Sequence, residues 1–265
     1  MLPQNASTAA APRASAGVKS ARRVIEILEL FDQQQRALTL TQLSDKLGYP
    51  PSSTLALLKS LQMLEYIAYD PGGKTYAPTL RVAMLGDWVR GQVLGNGAIV
   101  TLMADLQVET DANVMLAIQN DLRTQYVHTV QSRKLLRYYI QPGLQRSICR
   151  SAAGLALLAQ QSPVHIRKLL KRIATRGDHP QDLVPEGELL DTLQQVARQG
   201  YAYSDQITEG IGTVAIALPV QPGQMPMALG VASASGKIQP HAEAIAATMH
   251  RLVAERLIPN QNRSG

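Results

Sequence analysis

Few side chains in this 265-residue chain combine the residue types and spacing that catalysis needs. Cys149 is the only cysteine, and with His128 or His165 it could form a nucleophile and its base. No local spacing supports that pair, and a lone cysteine is usually a small buried hydrophobic residue. Asp205 and Glu209 could act as acid and base, or could equally cap a turn or a helix on a loop. The sequence therefore favours a protein that is not an enzyme.

Motifs for cofactors, metals and membranes are also missing from the sequence. No phosphate-binding or dinucleotide-binding glycine pattern occurs, and the five histidines are scattered. A single cysteine forms no intrachain disulfide and no multi-cysteine zinc site, so a reducing, cytoplasmic setting is the default. The apolar runs are too short to span a bilayer, and no signal peptide is evident. We therefore expect no cofactor, no metal and no membrane association.

Anion binding is the chemistry that the second half of the chain offers. Residues 133–150 include four arginines and no acidic residue: Arg133, Arg137, Arg146 and Arg150. The loop at 147–154 opens a helix, whose free backbone N–H groups and dipole favour an anion, and Ser151 adds a hydroxyl. An organic acid is therefore one expected ligand. A solvated or inter-subunit face for these arginines is an equal alternative.

The first eighty residues have the local signals of a winged helix-turn-helix. Apolar residues at helical spacing over 21–32, a capping box at Thr39 and Gln42, and a helix stop at Gly48 predict two helices. A third helix follows two prolines, with a serine as its cap, and runs to about Leu64. Its predicted buried face is Thr54, Leu57, Leu58, Leu61 and Leu64. Two β-prone runs, 66–69 and 74–77, flank a Pro-Gly-Gly turn and complete the wing.

The outer face of the third helix is small and polar, with one cation, so it can enter a major groove. The net charge of +6 agrees with an anionic partner, although residues 18–80 are nearly balanced in charge. The predicted DNA-binding residues are Arg22, Thr39, Lys46, Pro51, Ser52, Ser53, Thr54, Ala56, Lys59 and Lys74. No base-reading arginine or asparagine stands out. A winged helix used only for protein–protein contact, in a ligand-binding or scaffold protein, therefore remains the alternative.

A linking helix and a second domain follow. The predicted helix over 78–95 has an apolar side that should pack on a second copy, giving a homodimer or tetramer, or on its own second domain. The predicted strands are 114–118, 125–130, 136–140, 214–220 and 227–233. The predicted helices are 97–108, 151–160, 164–173, 186–198 and 242–257. Hairpins with interspersed helices indicate an antiparallel sheet and an α+β fold.

The chain is long enough for two domains of ordinary size, and because 45% of its residues are hydrophobic, each domain can bury its own core. Residues 1–17 are rich in Ala, Ser and Pro and are predicted to be a disordered tail. The predicted organisation continues with a winged helix-turn-helix DNA-binding domain at 18–79, a linker helix at 80–97 and an effector-binding domain at 98–260.

Several motifs resemble those of one known family, the IclR-type transcriptional regulators. The stretch 38–55 is similar to their helix-turn-helix, with a leucine-rich helix, a glycine, a proline and a Ser/Thr pair. Residues 19–23 and 76–81 look like the start of its first helix and its wing exit. The family's later motifs follow in order, and the resemblance spans 18–257; these motifs lie at 117–132, 143–159, 200–205 and 212–219.

The resemblance implies a GAF-like C-terminal sheet with a ligand pocket, a double-stranded DNA operator and a small-molecule effector. The expected function is sequence-specific DNA binding, with repression controlled by an organic acid. The predicted effector-binding residues are Tyr126, Arg137, Cys149, Arg150, Ser151, Ala152, Gly154, Asp205 and Glu209. Cys149, Arg150, Leu155 and Glu209 depart from the family pattern, so the effector cannot be carried over from other members.

Overall fold

The computed structural model describes residues 18–87, 97–132, 139–220 and 224–257. The chain divides into two compact units, Met1–Gly91 and Gln92–Gly265. The predicted tail at 1–17 and most of the predicted linker helix, from residue 88 to 96, lie outside the described residues. In the part of the chain that is described, no helix is long and apolar enough to cross a bilayer.

The first unit is a winged helix-turn-helix, as predicted. Its helices are α1 (Lys19–Gln34), α2 (Leu40–Leu47), α3 (Pro51–Met63) and α4 (Leu80–Met84). Its strands are β1 (Leu38–Thr39), β2 (Ile67–Asp70) and β3 (Thr75–Pro78), in the antiparallel order β1-β3-β2. Apolar side chains from all three first helices and from the wing form one core, which includes Ile27, Leu43, Leu58 and Tyr76.

Local hydrogen bonds set the positions of α2 and of the wing. The Thr39 hydroxyl accepts from the Gln42 N–H at 3.2 Å, and the Gln42 side chain accepts from the Thr39 N–H at 3.0 Å. Gly48 ends α2 with a φ of 67°, which a residue with a side chain rarely adopts. In the wing, the Asp70 carboxylate accepts from the N–H groups of Gly72 and Gly73 and so closes the turn.

Two predicted details of α3 are wrong. Its N-cap is Pro50, with no side-chain cap, because the hydroxyls of Ser53 and Thr54 donate back to the Pro50 carbonyl instead. Leu64 is 58% exposed, since α3 ends at Met63 and the chain turns away from the core there. Thr54, Leu58 and Leu61 form the buried face. Helix α3 is therefore held to the core of the first unit by side chains in its middle.

The second unit is a six-stranded antiparallel sheet with helices on both faces. Its strands are β4 (Asn113–Asn120), β5 (Arg123–Val130), β6 (Gln145–Ser147), β7 (Ala202–Thr208), β8 (Ile211–Ala217) and β9 (Met227–Ala234). Its helices are α5 (Ala98–Thr110), α6 (Ala152–Leu158), α7 (Pro163–Arg176), α8 (Glu186–Gln199), α9 (Ser235–Ile238) and α10 (Ala242–Leu257). The strand order is β6-β5-β4-β9-β8-β7. The predicted α+β class with an antiparallel sheet is confirmed.

The two faces of the sheet have separate cores. Helices α5 and α10 pack on one face through residues such as Leu106 and Leu252. Helices α6, α7 and α8 cover the other face, where α6 is in direct contact with the sheet and every one of its residues is buried. The loops and strand ends around the start of α6 therefore belong to this second face.

Three strand predictions in the second unit need correction. Strands β6 and β7 were not expected, and Asp205, which was expected on a loop, lies in β7. For the predicted strand 136–140, residues 136–138 lie outside the described residues, and Tyr139 and Ile140 belong to no strand. Strand β6 has only three residues and pairs with β5, so no alternation over several residues could mark it.

Candidate functional site

The first candidate site is the exposed face of α3 with its neighbours. Ser52, Ala56 and Lys59 lie exposed on α3, beside Pro51 at its first position. Lys59 is the one charged residue of the helix. An outer face of small residues permits close approach to a groove, and a lysine on such a face is suited to contact a phosphate.

The other predicted DNA-binding residues surround this face, with one exception. Lys46 is exposed in the last turn of α2, and Lys74 is exposed in the wing turn with a φ of 51°. Arg22 is exposed but lies 3.5 Å from Glu26 in an ion pair. Ser53 is half-buried, and Thr39 is committed to its capping box. Thr54 is fully buried, so the prediction that it contacts DNA is wrong.

A polar clamp that sequence reasoning missed holds the turn between α2 and α3 against α1. The Tyr49 hydroxyl donates to the Glu26 carboxylate, and the Arg23 guanidinium lies 4.4 Å from the centre of the Tyr49 ring. Burial, followed by the hydrogen bond to Glu26, raises the pKa of Tyr49. The phenol therefore remains a donor, and the turn that directs α3 stays in place.

The second candidate site is a cavity between the sheet and the start of α6. It contains about 660 Å³ of empty space, open solvent included, and about 90 Å³ of that space can hold the centre of a water-sized molecule. Three predicted effector residues, Tyr126, Ser151 and Ala152, line it together. Twelve other described residues that were not among the predicted effector contacts also line it, including Asn113, Met115, Arg146, Thr208, Thr213 and Ser233.

The charge of this cavity is set by Arg146. Among the described lining residues it is the one charged side chain, and none is a carboxylate. Burial raises the pKa of Tyr126, and the Arg146 guanidinium, which is hydrogen-bonded to the phenol, opposes that rise. Arg146 extends from β6 opposite Thr124 of β5. The cavity thus has a cationic end next to a phenol.

Arg150 and Cys149 lie behind this cavity and do not line it. The Arg150 guanidinium donates to the carbonyls of Gln181 (2.7 Å) and Leu183 (3.0 Å) and to the Gln206 side chain (3.1 Å). Both residues face a second, smaller space next to α8. Their contact with an effector therefore stays a prediction. Through these hydrogen bonds Arg150 holds the backbone on both sides of Asp182.

Three further effector predictions also fall outside the cavity lining. Gly154 packs its Cα against the Ile148 backbone, and its role is close packing. Asp205 is exposed on β7, 3.3 Å from the Tyr203 hydroxyl, and Glu209 is exposed in the following turn. Arg137 lies outside the described residues. Residues 133–150, which include four arginines and no acidic residue, were the sequence feature that pointed to this cavity, because Arg146 is one of those arginines.

Comparison with known proteins assigns both units. Residues 20–71 match the IclR helix-turn-helix domain, and residues 97–257 match the family described as bacterial transcriptional regulator IclR C-terminal. The second match alone covers more than half of the chain. The chain belongs to the IclR family. It is a helix-turn-helix transcriptional regulator with an effector-binding C-terminal domain, as the sequence predicted.

Two curated IclR-family relatives and one solved structure show the extent of the likeness. The regulator XynR of Escherichia coli is 25% identical over 200 residues, which cover 75% of this chain and 79% of XynR. The transcriptional repressor IclR of E. coli is 28% identical, covering 76% of this chain and 73% of IclR. An IclR homologue of Microbacterium hydrocarbonoxydans, complexed with 4-hydroxybenzoate, has a TM-score of 0.65 at 16% identity, covering 89% and 100% of the two chains.

In this IclR-family chain, Cys149 is poorly suited to nucleophilic chemistry. Burial, with a smaller contribution from Asp182, raises the pKa of its thiol to about 12, and the nearby Arg150 only partly opposes this. A thiol with such a pKa stays protonated at neutral pH. No cluster of three or more metal-ligating side chains is found in the described ranges either.

We expect native Cys149 to resist alkylation. At pH 8 iodoacetamide should modify the folded protein more than about 100-fold more slowly than the protein in guanidinium, because the thiolate fraction falls tenfold for each unit of pKa. Intact-mass spectrometry follows the reaction, and the denatured sample is the control. Equal rates in the two samples would show that the thiol is ionised and reactive in the fold.

Proposed function

We propose that this regulator is a cytoplasmic, non-enzymatic repressor, a homodimer or homotetramer, whose C-terminal cavity binds a small organic acid and thereby changes operator binding. The observation that carries the proposal is the electrostatics of the cavity: Arg146 is its charged group, and no carboxylate accompanies it in the described lining. An enclosed cation without a counterion favours an anionic ligand.

The DNA-binding half of the proposal draws on the exposed cations of the first unit. Lys46, Lys59 and Lys74 lie on α2, on α3 and in the wing. In a winged helix-turn-helix, phosphate contacts from such positions set the affinity and make it salt-dependent, while α3 occupies the major groove. Relatives named as repressors, including IclR of E. coli, support repression as the outcome.

The effector half is supported by a relative as well as by Arg146. The M. hydrocarbonoxydans homologue was solved with 4-hydroxybenzoate, a monocarboxylate. In this chain, an acid seated beside Arg146 and Tyr126 would also contact Ser151, the N-cap of α6, whose hydroxyl accepts from the Gly154 N–H at 3.2 Å. A ligand here therefore touches the start of a fully buried helix.

Oligomerisation is proposed from α4. Leu80, Met84 and Leu85 are 77%, 66% and 57% exposed, which is unusual for three apolar side chains close together. Burying them against a second copy would place two recognition helices on one operator. The acid regulates only by binding one arrangement of the dimer more tightly than another.

Binding of the purified protein to sequenced genomic fragments across a salt series tests this function. We expect enrichment of a palindromic site, with affinity that falls steeply as salt rises, because phosphate contacts release counterions. Random fragments of matched length serve as the control. Equal recovery of all fragments at every salt concentration would leave the winged helix as a protein-interaction module and would overturn the proposal.

A further inference from the structure

We propose that Thr79 and Arg81 fasten α4 to the corner that follows α3, so that the protein binds tightly only to operators with one fixed spacing between half-sites. This inference rests on the proposed function, because it takes the dimer to form through α4. It goes further in that it names the residues that fix the distance and the angle between the two copies of α3.

The corner between α3 and β2 is held to the end of α3 by its own backbone. The Glu65 N–H donates to the Gln62 carbonyl and the Tyr66 N–H to the Leu61 carbonyl, both at 2.9 Å. Glu65 has a φ of 64°, in the left-handed region that a residue with a side chain rarely adopts. Leu61 belongs to the core of the first unit. The corner is therefore a continuation of α3 that is fixed to this core.

Thr79 attaches the start of α4 to this corner. It is the N-cap residue of α4, a position from which a threonine hydroxyl usually accepts from its own helix. In the described chain its side chain makes no such capping bond. The Thr79 hydroxyl instead donates to the Glu65 carbonyl at 2.6 Å, and the Thr79 N–H donates to the Tyr66 carbonyl at 3.0 Å. The hydroxyl therefore serves the contact with the corner and not the end of its own helix.

Arg81 supplies a second attachment from within α4. Its guanidinium donates to the Glu65 carboxylate at 2.8 Å and lies 5.1 Å from the centre of the Tyr66 ring. The side chains of Arg81 and Glu65 are both more than half exposed, so this ion pair adds little to stability. What it adds is direction, because a second point of contact restrains rotation of α4 about Thr79. We call Glu65, Tyr66, Thr79 and Arg81 together the joint.

The covalent connection on the other side of the joint is equally short. Strand β3 ends at Pro78 and α4 begins at Leu80, so Thr79 alone connects the two elements. Pro78 pairs with Ile67 of β2, and its ring fixes its φ. A change in the direction of α4 relative to the wing must therefore occur at Thr79, where the joint opposes it.

The exposed apolar side chains of α4 connect the joint to operator geometry. Leu80, Met84 and Leu85 are the surface through which two copies are proposed to associate. With that contact formed, the joint fixes each copy of α3 relative to the dimer interface. The separation and the angle between the two copies of α3 are then properties of the protein, and the operator must match them. Two base pairs inserted between the half-sites move them apart by about 7 Å and rotate one by about 70°.

Fluorescence anisotropy with operators of altered spacing tests the inference. The DNA is the palindromic site enriched from the genomic fragments, either unchanged or with one or two base pairs inserted at its centre. We expect the wild-type full-length protein to bind the two-base-pair insertion about 10-fold or more weakly, because a rigid dimer must give up contacts at one half-site or deform the DNA. Thr79→Val combined with Arg81→Met should reduce this ratio of affinities to about threefold or less. The ratio is the measured quantity because loss of the Arg81 charge weakens binding to all three sites alike.

The matched control is Arg167→Met combined with Thr101→Val. Arg167 forms an ion pair of similar exposure, 2.7 Å from Glu186 in the second unit, and Thr101 is an exposed threonine of α5. This double variant should keep the wild-type ratio. Thr79→Ser, which retains the hydroxyl, should also keep it. Thermal melting checks that each variant is folded.

The outcomes separate this inference from the proposed function. Equal binding of the wild-type protein to all three spacings would overturn the inference and leave operator binding intact. The inference also fails, with the function unchanged, if the joint variant keeps the wild-type ratio or if the matched control loses it as well. Should the joint variant melt early, Arg81→Met alone decides, and a wild-type ratio for it overturns the inference. If the genomic fragments yield no enriched site, the proposed function fails and this inference fails with it.

Discussion

Lys59→Glu should abolish tight operator binding while leaving the protein folded. Lys59 is exposed on α3 and is the one charged residue of that helix, so the substitution places a carboxylate where phosphates must approach. In a dimer the change occurs twice. We expect a loss of affinity on the order of 100-fold at moderate salt, together with a shallower dependence of affinity on salt concentration.

The same substitution at a distant lysine provides the control. Lys168 is exposed on α7 in the second unit, and Lys168→Glu changes the net charge by the same amount. Fluorescence anisotropy with the enriched site, measured over a salt series, should show less than about a threefold effect for this variant. Equal losses for the two variants would mean that net charge drives binding and that α3 has no special place in the interface.

Gly154→Ala should destabilise the second unit more than any conservative change elsewhere in it. A Cβ atom at Gly154 would lie 2.2 Å from the Ile148 carbonyl oxygen and 2.7 Å from its Cα, which is far inside van der Waals contact. The Ile148 backbone cannot move freely, because Ile148 is fully buried and the Ser151 N–H donates to the Ser147 carbonyl at 3.0 Å. Overpacking of this severity costs about 3 kcal/mol or more.

Gly187→Ala is the matched control for this experiment. Gly187 lies in α8, where an added Cβ would meet no atom within 4 Å, so alanine should be neutral or slightly stabilising there. Circular dichroism melting curves of the two variants and of the wild type measure the difference. A melting temperature for Gly154→Ala at or above that of Gly187→Ala would show that the loop before α6 can yield.

The first unit could be predicted well because its signals are local. The capping box at Thr39 and Gln42, the stop at Gly48 and the Pro-Gly-Gly turn are each read within four residues, and each is present in the structure. Strand β1 escaped prediction because it has two residues, and its partners, Thr75 and Tyr76, lie far along the chain. Thr54 was misplaced because a hydroxyl that bonds its own helix looks like any polar side chain in the sequence.

The cavity could be predicted only in part. Its lining is assembled from positions as distant as Asn113 and Ser233, one to three from each strand of the second unit, and only the strand order brings these strands together. The sequence shows that residues 133–150 carry arginines and no acidic residue, but it does not show which of these arginines faces a cavity. Arg146 faces the cavity, whereas Arg150 donates to backbone carbonyls, and only tertiary structure separates the two roles.

The complete burial of α6 also bears on how effector preference can evolve in this chain. All seven of its residues are buried, and at Gly154 even one added carbon meets backbone, so nearly every substitution there would be lost to misfolding before it could alter recognition. The side chains of Thr208 and Thr213 are less constrained, since their half-buried hydroxyls have no hydrogen bond to another group in the described chain. Descendants with new inducers should therefore differ first at these strand positions, while the helix beside them stays almost unchanged.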